Sequence, residues 1–216
     1  MRGAARTPTM RVMLPHAYVY LASQSPRRAH LLDQLRVTHR PLLPDRKEDA
    51  ESLEEARSGE LPLAYVQRVT LLKLNAARAR LLRRRLPEAP ILCADTTVAV
   101  GRHILGKPRD PADAERMLRA LSGRTHRVMT AVAVSAGRQS FLLTSVSRVR
   151  FAELSGQTIE RYVASGEPNG KAGAYAIQGR IAAWIEHIEG SYTGIMGLPL
   201  HETTILLSRA RVRLEL

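Results

Sequence analysis

The sequence predicts a mixed α/β protein with a central sheet and flanking helices. Three observations lead there. Short apolar runs of strand character alternate with amphipathic helical segments along the whole chain. Two long β-like runs, 125–136 and 140–151, meet at Gly137–Arg138 and form a hairpin, which breaks any purely parallel scheme. No apolar run reaches the ~18 residues needed to cross a bilayer, and 216 residues are enough to bury a full core.

The elements follow in order. "AYVYLAS" (17–23) reads as a first strand, followed by a helix over about 26–36 with Ser25 at its N-cap, Pro26 at its first position and Leu31, Leu32 and Leu35 as its apolar stripe. "RPLLP" (40–44) is a short second strand, and 45–60 is an acidic, polar connection. Val66, Val69, Leu72, Ala76 and Ala79 recur at helical spacing and predict a long helix from Pro62 to about Arg85. "APILCADTTVAV" (89–100) is a buried strand, and Gly101–Arg102 turns it into "HILGKP" (103–108). "DPADAERMLRAL" (110–121) has Asp110 as cap, Pro111 at the first helical position and Gly123 just past its end. After the hairpin, "SGQTIERYVASG" (155–166) is a capped helix, "IAAWIEHI" (181–188) alternates like a strand, and "LPLHETTILLSRA" (198–210) is a terminal helix. We expect a loose extension over 1–15 and a single domain over 16–212.

Composition narrows the function. The first sixteen residues hold three arginines and no apolar h-region, so no secretory leader is expected. A lone cysteine, Cys93, excludes an intramolecular disulfide and suits a reducing cytoplasm. The net charge of +13 invites a nucleic-acid reading. Against it, the arginines are scattered and aromatics make up only 4%, too few for a row of base-stacking platforms. Of 33 basic residues all but four are arginine, and the four lysines are Lys47, Lys73, Lys107 and Lys171. In such a background a lysine can mark a position that needs a compact ammonium rather than a planar fork.

Candidate chemistry gathers where strands end. In "LASQSPRRAHLLDQL" (21–35) Arg27 and Arg28 stand in the first turn of a helix, where the backbone already favours anions. Ser23, Ser25, the first-turn amides and the two guanidinium groups can hold a phosphate; a capped surface helix with solvated arginines fits the same residues. Asp95 ends the apolar part of its strand, as a general base or metal ligand, or as a cap on the turn at Thr96 and Thr97. Lys73 borders the apolar stripe of the long helix, and Lys107 is presented rigidly before a proline; both can act as point charges for phosphate. The glycine-rich "GEPNGKAGAYAIQG" (166–179) matches neither the Walker nor the dinucleotide pattern. Within it, Gln178 can read the edge of a base or cap a turn. Glu48 lies in "DRKEDAESLEEA" (45–56), where nothing local separates it from its acidic neighbours. The seven histidines show no zinc-binding spacing, and no GxSxG elbow occurs.

Taken together, "LASQSPRRAHLLDQL", "ADTTV", "GKPRD", "LSGRTHRVMTAVAV", "YVASGEPNGKAGAYAIQG" and "GSYTGIMGLPL" resemble, in order and spacing, the Maf family of nucleoside triphosphate pyrophosphatases, once known as septum formation inhibitors. The resemblance runs from about Tyr18 to Leu207. It implies an elongated central sheet with two lobes around a cleft, related to the inosine-triphosphate pyrophosphatases. It also implies cleavage between the α and β phosphates with a divalent metal, Mg2+ or Mn2+. Asp95 matches the family's proton acceptor and, with Glu48, its metal-binding carboxylates, although the usual acidic pair is Lys47–Glu48 here. Ser23, Arg27 and Arg28 match the triphosphate-facing segment, and Lys73 and Lys107 match active-site lysines. Arg28, Thr96 and Gln178 match positions tied to base selection. "ADT", "KAGAYAIQG" and "GSY" resemble the members acting on dTTP and UTP, not the 7-methyl-GTP type with Ser-Asp-Gln and Cys-Ala-Gly-Ser-Phe. Relatives of this kind often dimerise, which makes a homodimer an expectation. The competing readings are the same chemistry on a modified or purine triphosphate, and a non-enzymatic nucleic-acid-binding or cell-division regulator.

Overall fold

The computed structural model describes residues 15–45, 48 and 52–214. The extension expected over 1–15 therefore lies, apart from Pro15, outside the described residues. Within the described residues seven strands form one mixed sheet: β1 (Val19–Leu21), β2 (His39–Pro41), β3 (Ile91–Val100), β4 (His103–Leu105), β5 (Thr125–Ala136), β6 (Gln139–Phe151) and β7 (Ile185–Glu189). The order is β2-β1-β3-β5-β6-β7, with β4 folded back onto β3. β1 runs parallel to β2 and β3, whereas every other pairing is antiparallel. The alternation of strands and helices thus produces the mixed sheet the sequence predicts.

Among the described residues six α-helices accompany it: α1 (Pro26–Gln34), α2 (Pro62–Arg83), α3 (Pro111–Leu121), α4 (Gly156–Ala164), α5 (Tyr192–Met196) and α6 (Leu200–Arg209). Local chemistry sets their starts. Asp110 accepts the Asp113 amide at 2.7 Å and Ser155 accepts the Thr158 amide at 3.1 Å, each satisfying an orphan donor of a first turn. Ser25 occupies the N-cap of α1, but its side chain makes no capping bond.

Several short segments differ from expectation: the second strand is His39–Pro41 rather than 40–44, and the connection over 45–60 contains a 3-10 turn, Ser52–Glu54. The first half of "IAAWIEHI" is a 3-10 turn, Arg180–Trp184, and only Ile185–Glu189 is strand. Ile181 and Trp184, three residues apart, both pack on the core, a spacing that favours a 3-10 turn over a pleat. The glycine-rich "GSYTGIM" contains the short helix α5, started by Ser191 accepting the Gly194 amide at 2.9 Å.

Helices cover both faces of the sheet, so β3 and β5 are buried on each side and show no polar alternation. On one face Cys93 and Ala133 pack against Leu74, Ala77 and Leu81 of α2. Further along, Ala99, Met129 and Ala131 meet Tyr65, Val66 and Val69 of the same helix. On the other face Ala94 and Val132 pack with Leu31, Leu32 and Leu206, and Val98 and Val128 pack with Met117, Leu118 and Ile159. Each face therefore carries two apolar clusters, and both pairs divide at one level of β3: at Asp95 on the α2 face and at Thr96 on the other.

The sheet edge opens at that level too. β1 pairs with β3 only as far as Leu21–Leu92, and β4 joins only at Val98–Leu105. Among the described residues, Ala94 to Thr97 have no strand neighbour on this edge. A notch beside four central residues of a buried strand gives solvent access to both faces at once.

Candidate active site

The notch widens into a cavity of about 420 Å3, in the range that holds a small ligand. The loop leaving β1, the start of α1, the inner side of α2, the loop after β4 and the glycine-rich segment all line it. Of the residues singled out in the sequence, Ser23, Arg27, Arg28, Lys73, Asp95, Thr96, Lys107, Lys171 and Gln178 line this one cavity. Among the described residues, six cationic side chains face it (Arg27, Arg28, Lys73, Arg80, Lys107, Lys171) against two carboxylates, Glu54 and Asp95.

On the α2 face the charges alternate. Lys73 Nζ donates to Asp95 Oδ1 at 2.5 Å and to Glu54 Oε1 at 2.7 Å, and Lys107 Nζ donates to Glu54 Oε2 at 2.9 Å. Burial works against the Lys73 ammonium, but Asp95 and Glu54 outweigh it and raise its pKa. Glu54 also loses water, and the two lysines more than compensate, holding its carboxyl below the usual range. Asp95 is 8% exposed, and among the described residues its Oδ2 carries no hydrogen bond. One carboxylate oxygen is thus fixed and the other is left for a ligand.

On the opposite face Arg28 is the hub. Its Nε donates to the Gly197 carbonyl at 2.7 Å, and its terminal nitrogens donate to Ser23 Oγ at 3.0 Å and Thr96 Oγ1 at 3.3 Å. Thr96 Oγ1 lies 3.0 Å from Thr130 Oγ1, which donates to the Gly194 carbonyl at 2.7 Å. With the last hydroxyl committed, the bonds run in one direction, from Arg28 through Thr96 and Thr130 to Gly194. Gly197 adopts φ +121, and a Cβ there would sit 3.6 Å from both Arg28 Nε and Thr96 Oγ1. That glycine lets α5 end directly against the hub. Arg28 is half-buried, and desolvation lowers its pKa, which Asp95 partly offsets. Adjacent Arg27 makes only one bond, Nε to the Met196 carbonyl at 3.3 Å, so its terminal nitrogens face the cavity unpaired among the described residues. The two arginines, adjacent in sequence, have different duties.

The remaining expectations fall as follows. Lys171 donates to the carbonyls of Glu167 and Asn169, so its ammonium ties down the glycine-rich segment. Gln178 is exposed and borders the cavity. Glu48, expected from the resemblance to be near a metal, does not line it. Its carboxylate accepts from Arg80 at 2.6 Å and from Arg83, and the Arg80 bonds lead in pulling its pKa down to about 2. Lys47, its partner in the motif, lies outside the described residues. Glu54, Tyr65 and Arg80 line the cavity without having been singled out. Arg80 sits one helical turn beyond Ala76 on the cavity side of α2, but in an arginine-rich chain nothing separated it from its neighbours. Glu54 was one carboxylate among several in an acidic loop.

Fold and site together define an α/β protein with a deep, strongly cationic cleft at a gap in its sheet. Residues 18–210 match the family model described as Maf-like protein, and the chain belongs to that family. A relative from a Polaromonas species, named dTTP/UTP pyrophosphatase, is 61% identical over 197 residues, covering 91% of this chain and 98% of the relative. One from Albidiferax ferrireducens with the same name is 60% identical over 190 residues, covering 88% and 95%. Among solved structures, a nucleoside-triphosphatase / dITP/XTP pyrophosphatase from Mycobacterium abscessus aligns with a TM-score of 0.39 at 15% identity, covering 65% of this chain and 78% of that one.

Proposed function

We propose that this chain hydrolyses dTTP and UTP between the α and β phosphates, giving the monophosphate and pyrophosphate. Two relatives of that name at about 60% identity along nearly their whole length support the reading. The observation that carries it is the line Asp95–Lys73–Glu54–Lys107 beside Arg27, which sets a carboxylate fixed at one oxygen next to a patch of positive charge.

Asp95 orients the attacking water and takes its proton on Oδ2, while Lys73 on Oδ1 keeps the carboxylate in place. Lys73, Lys107 and the free end of Arg27 neutralise charge that builds on the pyrophosphate leaving group. Because these cations are positioned before substrate arrives, little reorganisation is needed at the moment of reaction. Arg28 works mostly indirectly: it fixes Ser23, Thr96 and Gly197, and with Gln178 at the rim these groups shape the end of the cavity that reads the base.

Among the described residues no cluster of three or more carboxylate, histidine or cysteine ligands occurs. Mg2+ keeps several of its waters, so a cation held by substrate phosphates can be reached from Asp95 Oδ2 through one of them, which leaves that oxygen basic. Asp95 would hold such a Mg2+ or Mn2+ ion, which when bound supplies Lewis-acid polarisation of a phosphoryl oxygen. Glu48, paired with two arginines, offsets the charge of Arg80. Among the described residues no helix is long and apolar enough to cross a membrane. The chain's single cysteine, buried at Cys93, suits a cytoplasmic location.

A pyrophosphate-release screen of the wild type and Asp95→Asn across canonical and modified triphosphates, with added Mg2+ or Mn2+, tests the reading. We expect dTTP and UTP to be turned over best, and Asp95→Asn to lose at least ~100-fold in kcat with an unchanged melting temperature. Preferential turnover of 7-methyl-GTP would overturn the substrate assignment, and near-wild-type activity of Asp95→Asn would remove Asp95 as the base.

A further inference from the structure

Glu54 is the one cavity group whose charge opposes the ligand and whose position is not explained by the proposed chemistry. Its carboxylate bridges the two lysines: Oε1 lies 2.7 Å from Lys73 Nζ and 3.2 Å from Lys107 Nζ, and Oε2 lies 2.9 Å from Lys107 Nζ. These are contacts of the kind a phosphate oxygen makes with two ammonium groups. We propose that Glu54 is an internal competitor for the polyphosphate subsite. It occupies the lysine pair until a chain of sufficient negative charge displaces it, and it returns when pyrophosphate leaves. This rests on the proposed reading only in taking Lys73 and Lys107 as the leaving-group cations.

The local structure separates a fixed backbone from a movable side chain. Glu54 ends a 3-10 turn, Ser52–Glu54, whose last carbonyl accepts from Tyr65 Oη at 2.7 Å. The next carbonyl, that of Glu55, accepts from Arg68 at 2.9 Å, and Arg68 is itself clamped to Glu60. Two side chains from the start of α2 therefore hold the turn. The Glu54 side chain is 27% exposed, and its carboxylate can leave the lysines by rotating its own bonds without moving the backbone. Lys73 keeps its second partner, Asp95, throughout, so it stays charged and placed while Glu54 exchanges with phosphate.

The exchange gives selectivity and turnover from one residue. A ligand that reaches both lysines with several negative charges replaces the carboxylate contacts with stronger ones. A ligand with a single phosphate replaces them with no gain and also meets a like charge. After cleavage the tethered carboxylate competes with pyrophosphate at high effective concentration and speeds its release.

Inorganic pyrophosphate and inorganic triphosphate are the probes, titrated calorimetrically into the wild type, Glu54→Gln and Glu54→Asp, with and without Mg2+. Glu54→Gln keeps the shape of the side chain and removes its charge, so pyrophosphate should bind roughly tenfold more tightly than to the wild type. Glu54→Asp keeps the charge but shortens the reach, so its affinity should fall between the two. In turnover assays Glu54→Gln should show a lower KM and stronger product inhibition by pyrophosphate. Equal pyrophosphate affinity in all three proteins would overturn the proposal. So would weaker binding by Glu54→Gln in Mg2+ alone, which would make Glu54 a metal ligand. The binding arm can be read even if dTTP and UTP are not substrates, so failure of the activity assignment is distinguishable from failure of this one.

Discussion

Lys73 joins the two carboxylates of the cleft, and the site's charge balance depends on it. With its ammonium gone, Asp95 and Glu54 would face each other across a half-buried space with nothing between them. Lys73→Met should therefore lower kcat by ~100-fold or more, because Asp95 loses the group that fixes its carboxylate and the leaving group loses a cation. Steady-state pyrophosphate-release kinetics of the two proteins check the loss. The double variant with Asp95→Asn should be little worse than the poorer single one, since the two groups act as a unit. Asp95, Lys73, Lys107 and the SPRR segment could all be picked out from sequence as chemically pointed residues. The contacts behind their division of labour could not. Arg27 and Arg28 are adjacent and identical; the family resemblance ties Arg28 alone to base selection, and the approach of Gly197 and Thr96 to Arg28 supplies the contacts that set it apart.

Among the elements, the strands and helices framing the cleft follow from local rules: Pro at first helical positions, Asp110 and Ser155 as caps, apolar stripes at helical spacing. The elements that escaped sequence reading are short ones set by tertiary contacts. The 3-10 turn at Ser52–Glu54 lies in a stretch whose composition reads as solvated loop, and its place is set by Tyr65 and Arg68 reaching from α2. The helix α5 has only five residues, too few to form without support, and it is held by Ser191, by Thr130 and by Arg27 and Arg28 at its end. Its C-terminal Gly197 should tolerate no side chain, because φ +121 is strained for any L residue. Gly197→Ala should lose about 1–3 kcal/mol of stability in urea denaturation and raise KM, because relief of the strained φ moves the carbonyl that Arg28 holds. A substitution to Ala at Gly106, where a Cβ would meet nothing within 4 Å, is the control.

For the whole molecule, pH dependence is set by groups far from one another. Burial lowers the pKa of His126 from 6.5 to about 4, and its Nε2 lies 2.7 Å from the Tyr175 hydroxyl beneath the glycine-rich segment. The folded state therefore binds fewer protons than the unfolded chain between those values, and stability present above pH 6.5 is lost as pH falls toward 4. Glu48, held at about 2 chiefly by Arg80, adds a second loss as pH falls from 4.5 toward 2. Urea unfolding from pH 7 to 4 should show a steady decline, and His126→Gln, which keeps a polar partner for Tyr175 but cannot titrate, should flatten it. The overall charge of +13, so prominent in the composition, is mostly a property of dispersed arginines. What matters for binding is the local excess of cations in the cleft, which composition cannot reveal.

By itself the sequence determined the alternation of elements, the mixed sheet and most of the residues that face the cleft, because these depend on periodicity, capping and short motifs within a few residues of one another. Only the tertiary structure decided that β1 stops at Leu21 while β3 continues, leaving Ala94 to Thr97 open between β1 and β4. It also decided that Glu54 rather than Glu48 faces the lysines of the cleft, across 19 residues from Lys73 and 53 from Lys107. Such contacts form only when distant segments are brought together by burial of the four apolar clusters, and that packing is non-local by nature.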